Sequence, residues 1–153
     1  MADTSLNENR LALLIWQTAN LWQSKVRIKL KESEITLNEY LILETIYLLQ
    51  KKNVNITQQE ICKNASIDRS VVSLRVSKLE EKNLISKQQP KDRRSDSLTL
   101  TAAGNNLINN IIDNVVELEN ELFNKLGSEI FNFTNSLKLL LGKKIRIRAK
   151  LND

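Results

Sequence analysis

Only four of the 153 residues are glycine or proline, three of the first and one of the second. Tight turns, Gly-rich phosphate loops and all-β architectures depend on those residues, so a chain this poor in them is constrained to long helices with few sharp reversals. Its length allows one domain with a proper core, or one compact lobe plus extra helices. The 41% apolar and 27% charged residues are those of a soluble globular protein.

The stretch Ile56 to Gly104 is the most informative. Thr57 and Glu60 have the spacing of a capping box, so a helix is expected to begin there and run to about Asn64. Ala65, Ser66 and Ile67 supply a turn, and Ser66 or Asp68 can cap a second helix. In that second helix Val72, Val76 and Leu79 fall at i, i+4 and i+7 and share an apolar face. The opposite face carries Arg69, Ser70, Ser73, Ser77 and Lys78. Taken alone it fits an ordinary amphipathic surface helix. That bland reading is the stronger one for the helix by itself, but the same face also suits a helix entering a DNA major groove, where hydroxyls reach base edges and cations neutralise flanking phosphates. The residues C-terminal to this helix favour the groove. Leu84 to Gln88 and Ser97 to Thr101 read as strands, the second alternating through Leu98 and Leu100. Between them lies Pro90-Lys91-Asp92-Arg93-Arg94-Ser95-Asp96, too charged for a core. A basic hairpin tip after a helix-turn-helix is a wing, whose arginines can enter a minor groove where negative potential is concentrated.

Helical periodicity dominates the rest of the chain. From about Asn7 to Leu30, Leu11, Ile15, Trp22 and Val26 form a stripe flanked by Leu14, Leu21 and Ile28, wide enough to require more than its own domain to cover it. Thr36 and Glu39 form a second capping box, opening a helix through Tyr40, Leu43, Ile46 and Leu49 that should be the buried centre of the fold. Beyond Gly104, apolar residues recur at three and four positions from Leu107 to Leu126. Gly127 and Ser128 break that pattern, and a last helix follows with Ile130, Phe131, Leu137, Leu140 and Leu141. These terminal helices carry more apolar surface than one small lobe can bury, which points to a partner chain.

Several pieces resemble the MarR family, the multiple antibiotic resistance regulators with a winged helix-turn-helix. They are I-T-Q-Q-E-I at Ile56 to Ile61, I-D-R-S-V-V-S at Ile67 to Ser73, K-L-E-E-K-N-L-I at Lys78 to Ile85, D-R-R at Asp92 to Arg94, and L-T-L-T-A-A-G ending at Gly104. Together they cover about a third of the chain in the family's order, although each alone is a weak signal. Ser66 stands where a glycine is common in the turn, Val71 where threonine is common, and Leu74 where a polar or basic residue is frequent. The last two bear on which bases are read, not on the fold. The resemblance implies a mainly α fold with a small β-hairpin wing: one MarR-like domain over 1–153, with a DNA-binding lobe at about 36–104 and dimerisation helices at about 7–30 and 105–150. It also implies a homodimer of intertwined terminal helices, which would offer two recognition helices about 34 Å or a multiple apart to a pseudopalindromic operator.

The expected DNA-binding residues are Thr57, Gln58, Arg69, Ser70, Ser73, Arg75, Lys78, Lys91, Asp92, Arg93 and Arg94. In the family's D-x-R element the arginine enters the minor groove and the aspartate holds it, roles that fall here to Arg94 and Asp92, with Arg93 and Lys91 on phosphates. Thr57 and Gln58 sit at a helix N-terminus whose free amides favour anions. Arg75 borders the buried stripe and can snorkel to phosphate. A net charge of +5 fits an anionic partner.

The absence of histidine removes Cys-His and Ser-His nucleophile pairs and the commonest transition-metal ligand, so neither an enzyme, a metal nor a cofactor is expected. A single cysteine, Cys62, excludes an intrachain disulfide framework and reads as a core thiol. No export signal or membrane span is legible, so the cytoplasm is the expected compartment. The reading is therefore a dimeric transcription regulator, most often a repressor in this family, released by a small aromatic ligand. Trp16, Trp22, Tyr40 and Tyr47 could line a pocket for one, although aromatics at helical spacing are more often core. The rivals are a nonspecific architectural DNA-binding protein, which would not discriminate between sequences at matched salt, and a winged helix used for protein contacts, which would not shift DNA in a gel.

Overall fold

In the computed structural model, residues 9–52, 55–88 and 97–146 are described. The chain divides into two compact units, Met1–Leu118 and Glu119–Asp153.

The first unit opens with α1 (Leu11–Leu30), followed by a 3-10 turn at Lys31–Ser33. Arg10 occupies the N-cap of α1 and offers no side-chain bond; Asn7, where the periodicity starts, lies outside the described residues. Only Val26 and Leu30 of α1 are buried; Leu11, Leu14, Ile15, Leu21 and Ile28 stand exposed. The expected capping box then forms in full. Glu39 N–H donates to Thr36 Oγ1 and Thr36 N–H donates to Glu39 Oε1, each at 3.2 Å, and α2 (Leu37–Gln50) starts there. Helix α2 is the centre of the unit. Its Tyr40, Ile42, Leu43 and Ile46 are almost wholly buried, and it packs against α1, α3 (Gln58–Ala65), α4 (Arg69–Glu81) and β2 (Ser97–Leu100).

Strand β1 (Ile85–Gln88) pairs antiparallel with β2, Ile85 opposite Leu100 and Gln88 opposite Ser97. On one face Ser86 and Thr99 share a hydroxyl hydrogen bond of 2.9 Å; on the other Ile85, Leu98 and Leu100 enter the core. Leu98 N–H also donates to the Ile56 carbonyl at 2.8 Å, tying the hairpin to the residue just before the Thr57 cap.

After β2 the chain enters α5 (Ala102–Phe123) with one residue between. Thr101 fills that place: its Oγ1 accepts from Gly104 N–H at 3.0 Å and donates to the Asn83 carbonyl at 2.7 Å, while its own N–H donates to the Leu84 carbonyl at 3.1 Å. Gly104 lies in this contact. A Cβ on it would stand 2.0 Å from the Leu84 carbonyl oxygen, so the helix can approach the turn this closely only at glycine. From α5, Ile108, Ile111 and Val115 complete the core.

In the second unit Gly127 takes φ 54 and ψ −128 inside a 3-10 stretch (Asn124–Glu129), which ends the pattern where Gly127 and Ser128 are expected to end it. Helix α6 (Ile130–Leu140) follows and has no buried residue. Asn135 then clamps the backbone of Arg146: its Nδ2 donates to the Arg146 carbonyl at 2.7 Å and its Oδ1 accepts Arg146 N–H at 3.1 Å.

Candidate nucleic-acid interface

Helices α3 and α4 enclose the turn that the sequence places at Ala65 to Ile67. Thr57 caps α3 by accepting Glu60 N–H at 3.2 Å, but the reciprocal half of the expected box is not made. The Glu60 carboxylate turns along the helix instead, to within 3.5 Å of Asn64 Nδ2. Ser66 closes α3 in the left-handed region, φ 53 and ψ 44. Asp68 holds the N-cap position of α4 without a side-chain bond.

A left-handed serine is strained by its Cβ, which glycine lacks. Ser66→Gly is therefore expected to raise stability by about 0.5 to 1 kcal/mol, once the extra entropy of an unfolded glycine is subtracted. An unchanged urea midpoint would show the turn to be unstrained.

Helix α4 is split as its sequence implies. Val72, Val76 and Leu79 are fully buried, and Ser70, Ser73, Ser77 and Lys78 are exposed away from them; Arg69 is exposed as the first residue of the helix, on the line of the buried valines and not on the far face the sequence suggests. Its C-terminus closes in a Schellman motif. Asn83 takes φ 58, Asn83 N–H donates to the Glu80 carbonyl and Leu84 N–H to the Leu79 carbonyl, both at 2.9 Å.

A feature that the sequence did not reveal fixes α4 to α2. Glu39, only 1% exposed, uses its carboxylate for Lys82 as well as for its own capping box. Lys82 Nζ lies 3.0 Å from Glu39 Oε2 and 3.3 Å from Oε1, and donates to the Glu34 carbonyl at 3.0 Å. Arg75 Nη1 stands 3.9 Å from Glu39 Oε1, two helical turns before Lys82 on the same side of α4. One buried carboxylate thus faces two cations of the second helix. The spacing of Glu39 and Lys82, 43 residues apart, carries no local signal by which sequence reading could pair them.

A helix-turn-helix followed by an antiparallel hairpin, all on one core, is the winged arrangement. Residues 35–95 match the MarR family model. Over those residues the chain is similar to the MarR family. It is 28% identical over 96 residues to the HTH-type transcriptional regulator YdcH of Bacillus subtilis (strain 168), a match spanning 62% of this chain and 65% of that protein. Among solved structures it resembles the S. aureus MepR–DNA complex at 24% identity, with a TM-score of 0.77 over 89% of this chain and 97% of MepR. It also resembles Bordetella bronchiseptica BpsR, whose structure concerns regulation of DNA binding by 6-hydroxynicotinic acid, at 15% identity and TM-score 0.75, over 88% of this chain and 100% of BpsR. At these identities the structural likeness speaks for the MarR fold alone.

Against that fold the expected contact residues fall into three groups. Ser70, Ser73 and Lys78 share the exposed side of α4, and Arg69 is exposed at its first residue. Thr57 and Gln58 lie half-buried at the start of α3, and Arg75 borders the core beside Glu39. Lys91, Asp92, Arg93 and Arg94, the wing tip, lie outside the described residues. Among the described residues no cluster of acidic, cysteine or histidine side chains could hold a metal ion, and no helix is long and apolar enough to cross a membrane.

Proposed function

We propose that this chain works as a cytoplasmic homodimer that binds pseudopalindromic duplex DNA and represses transcription, with a small aromatic ligand releasing it. The observation that carries the reading is the division of α4: a wholly apolar side locked in the core and a hydroxyl-rich, cationic side left to solvent. Such a side offers donors and acceptors to base edges and positive charge to phosphates. Arg69, Ser70, Ser73 and Lys78 read or approach the major groove. Thr57, Gln58 and Arg75 approach phosphates, and Asp92 orients Arg94 in the minor groove with Lys91 and Arg93 alongside.

The dimer part of the proposal rests on α1, where Trp16 remains 64% exposed among other uncovered apolar side chains. A patch of this kind is expected to be covered by another protein surface, and a second copy supplies the two-fold axis that a palindrome mirrors. The ligand part is supported by the subject of the BpsR structure, an aromatic acid regulating DNA binding.

Selection of bound duplexes from a random library, with sedimentation of the free protein, tests these parts together. Two-fold symmetric sites, a dimer at micromolar concentration and affinity falling steeply with salt are expected. Arg94→Ala should weaken binding to the selected site by about 1 to 3 kcal/mol. Sites lacking symmetry, or a monomer, would contradict the dimer; undiminished binding by Arg94→Ala would contradict the wing contact. For any aromatic acid that binds, operator DNA must weaken the ligand by the same factor by which the ligand weakens DNA binding.

A further inference from the structure

We propose that Leu74 is a specificity-determining residue that reads the C5-methyl group of a thymine in each half-site. The inference rests on the DNA-binding function proposed for α4 and deepens it. Leu74 lies two residues from both Val72 and Val76, so it projects about 160° around the helix from each buried valine. It is 54% exposed, in the middle of the outward side of α4. Its neighbours one turn away are Ser70, Ser77 and Lys78, all exposed, with Val71 half-buried. Ser77 already donates to the Ser73 carbonyl at 3.2 Å, so its oxygen faces outward as an acceptor.

The exposed residues of α4 from Arg69 to Lys78 include the cations Arg69 and Lys78 and no acidic residue, a charge that suits a polyanion. Within a major groove hydroxyls and cations can serve any base pair, but an isobutyl group cannot accept or donate. Its one favourable partner on a base edge there is the thymine methyl, which cytosine, adenine and guanine lack. A single apolar side chain ringed by hydroxyls and an ammonium therefore selects thymine at the position it reaches and leaves a polar base edge unpaired there.

Deoxyuridine isolates this contact, because it keeps the pairing and carbonyls of thymine and removes only the methyl. Each thymine of the library-selected site is replaced in turn, and the full-length chain is titrated with each duplex. At one thymine per half-site the replacement should weaken the parent about 4-fold, the worth of one buried methyl, and about 15-fold when both half-sites are changed. Leu74→Met, still apolar, should keep that sensitivity. Leu74→Ser should bind thymine and deoxyuridine duplexes alike, and an unaltered melting temperature would show that the exposed substitution leaves the fold intact. Three results overturn the assignment while leaving the DNA-binding reading intact: a parent indifferent to deoxyuridine everywhere, Leu74→Ser retaining the full loss, or selected half-sites without a shared thymine. Failure to select any sequence would sink both.

Discussion

Gly104→Ala should destabilise the winged unit by about 3 kcal/mol or more, at the upper end of what overpacking costs, and lower its melting temperature by roughly 6 to 12 °C. The direction is not what helix propensity suggests, since alanine in a helix interior is favoured over glycine by about 1 kcal/mol. Contact decides the sign. The added methyl would meet the Leu84 carbonyl oxygen at 2.0 Å and its carbon at 3.0 Å. That carbonyl cannot easily withdraw: it accepts Thr101 N–H at 3.1 Å, and Leu84 N–H is committed to the Leu79 carbonyl at 2.9 Å. Relief must come from moving the first turn of α5 away from the end of α4, at the expense of the Thr101 cap. Urea unfolding followed by circular dichroism measures the effect. A variant as stable as the parent would mean that α5 does not approach the turn this closely.

The second large effect is expected at Glu39. Glu39→Ala removes the return bond of the capping box and the charged acceptor of Lys82, and leaves Arg75 without its nearest carboxylate. A hydrogen bond to a charged group is worth about 1.5 to 3 kcal/mol, and loss of capping adds about 1. Lys82 is 41% exposed and Arg75 32%, so water compensates part of the loss. A net destabilisation of about 2 to 3 kcal/mol is expected. Glu39→Gln keeps an acceptor for Thr36 N–H and removes only the charge, and should cost about 1 kcal/mol. Equal losses in the two variants would assign the role to the cap alone and dismiss the link to α4.

The parts of this fold legible in sequence are those governed by short-range rules. Thr36 with Glu39 announces α2, the i, i+4, i+7 spacing of Val72, Val76 and Leu79 announces the buried side of α4, and Gly127 announces the end of the long helical pattern. Strand limits are displaced by one residue at each outer end, because Leu84 belongs to the Schellman closure and Thr101 to the cap of α5. Less legible are positions where backbone conformation, not side-chain pattern, makes the decision. Ser66 and Asn83 adopt left-handed conformations in the C-terminal closures of α3 and α4, where no side-chain periodicity announces them. Glu60 matches the capping-box spacing as well as Glu39 does, yet turns to Asn64, because spacing specifies reach and not the competing partner. Of the expected interface, Ser70, Ser73 and Lys78 are placed together on the exposed side of α4, Arg69 at its first residue and Arg75 beside Glu39, whereas Lys91 to Arg94 fall outside the described residues.

The single-residue junction at Thr101 has a mechanical consequence. With β2 ending at Leu100 and α5 beginning at Ala102, there is no slack chain to absorb rotation between hairpin and helix. Thr101 also holds the Asn83 carbonyl, so three segments meet at one side chain. A force applied to the hairpin therefore acts as torque on the first turn of α5 and on the end of α4, not as bending of a linker. Parting the hairpin from the end of α4 breaks the bonds of Thr101 to the Asn83 and Leu84 carbonyls, so the residue that caps α5 is also the one that loses its partners.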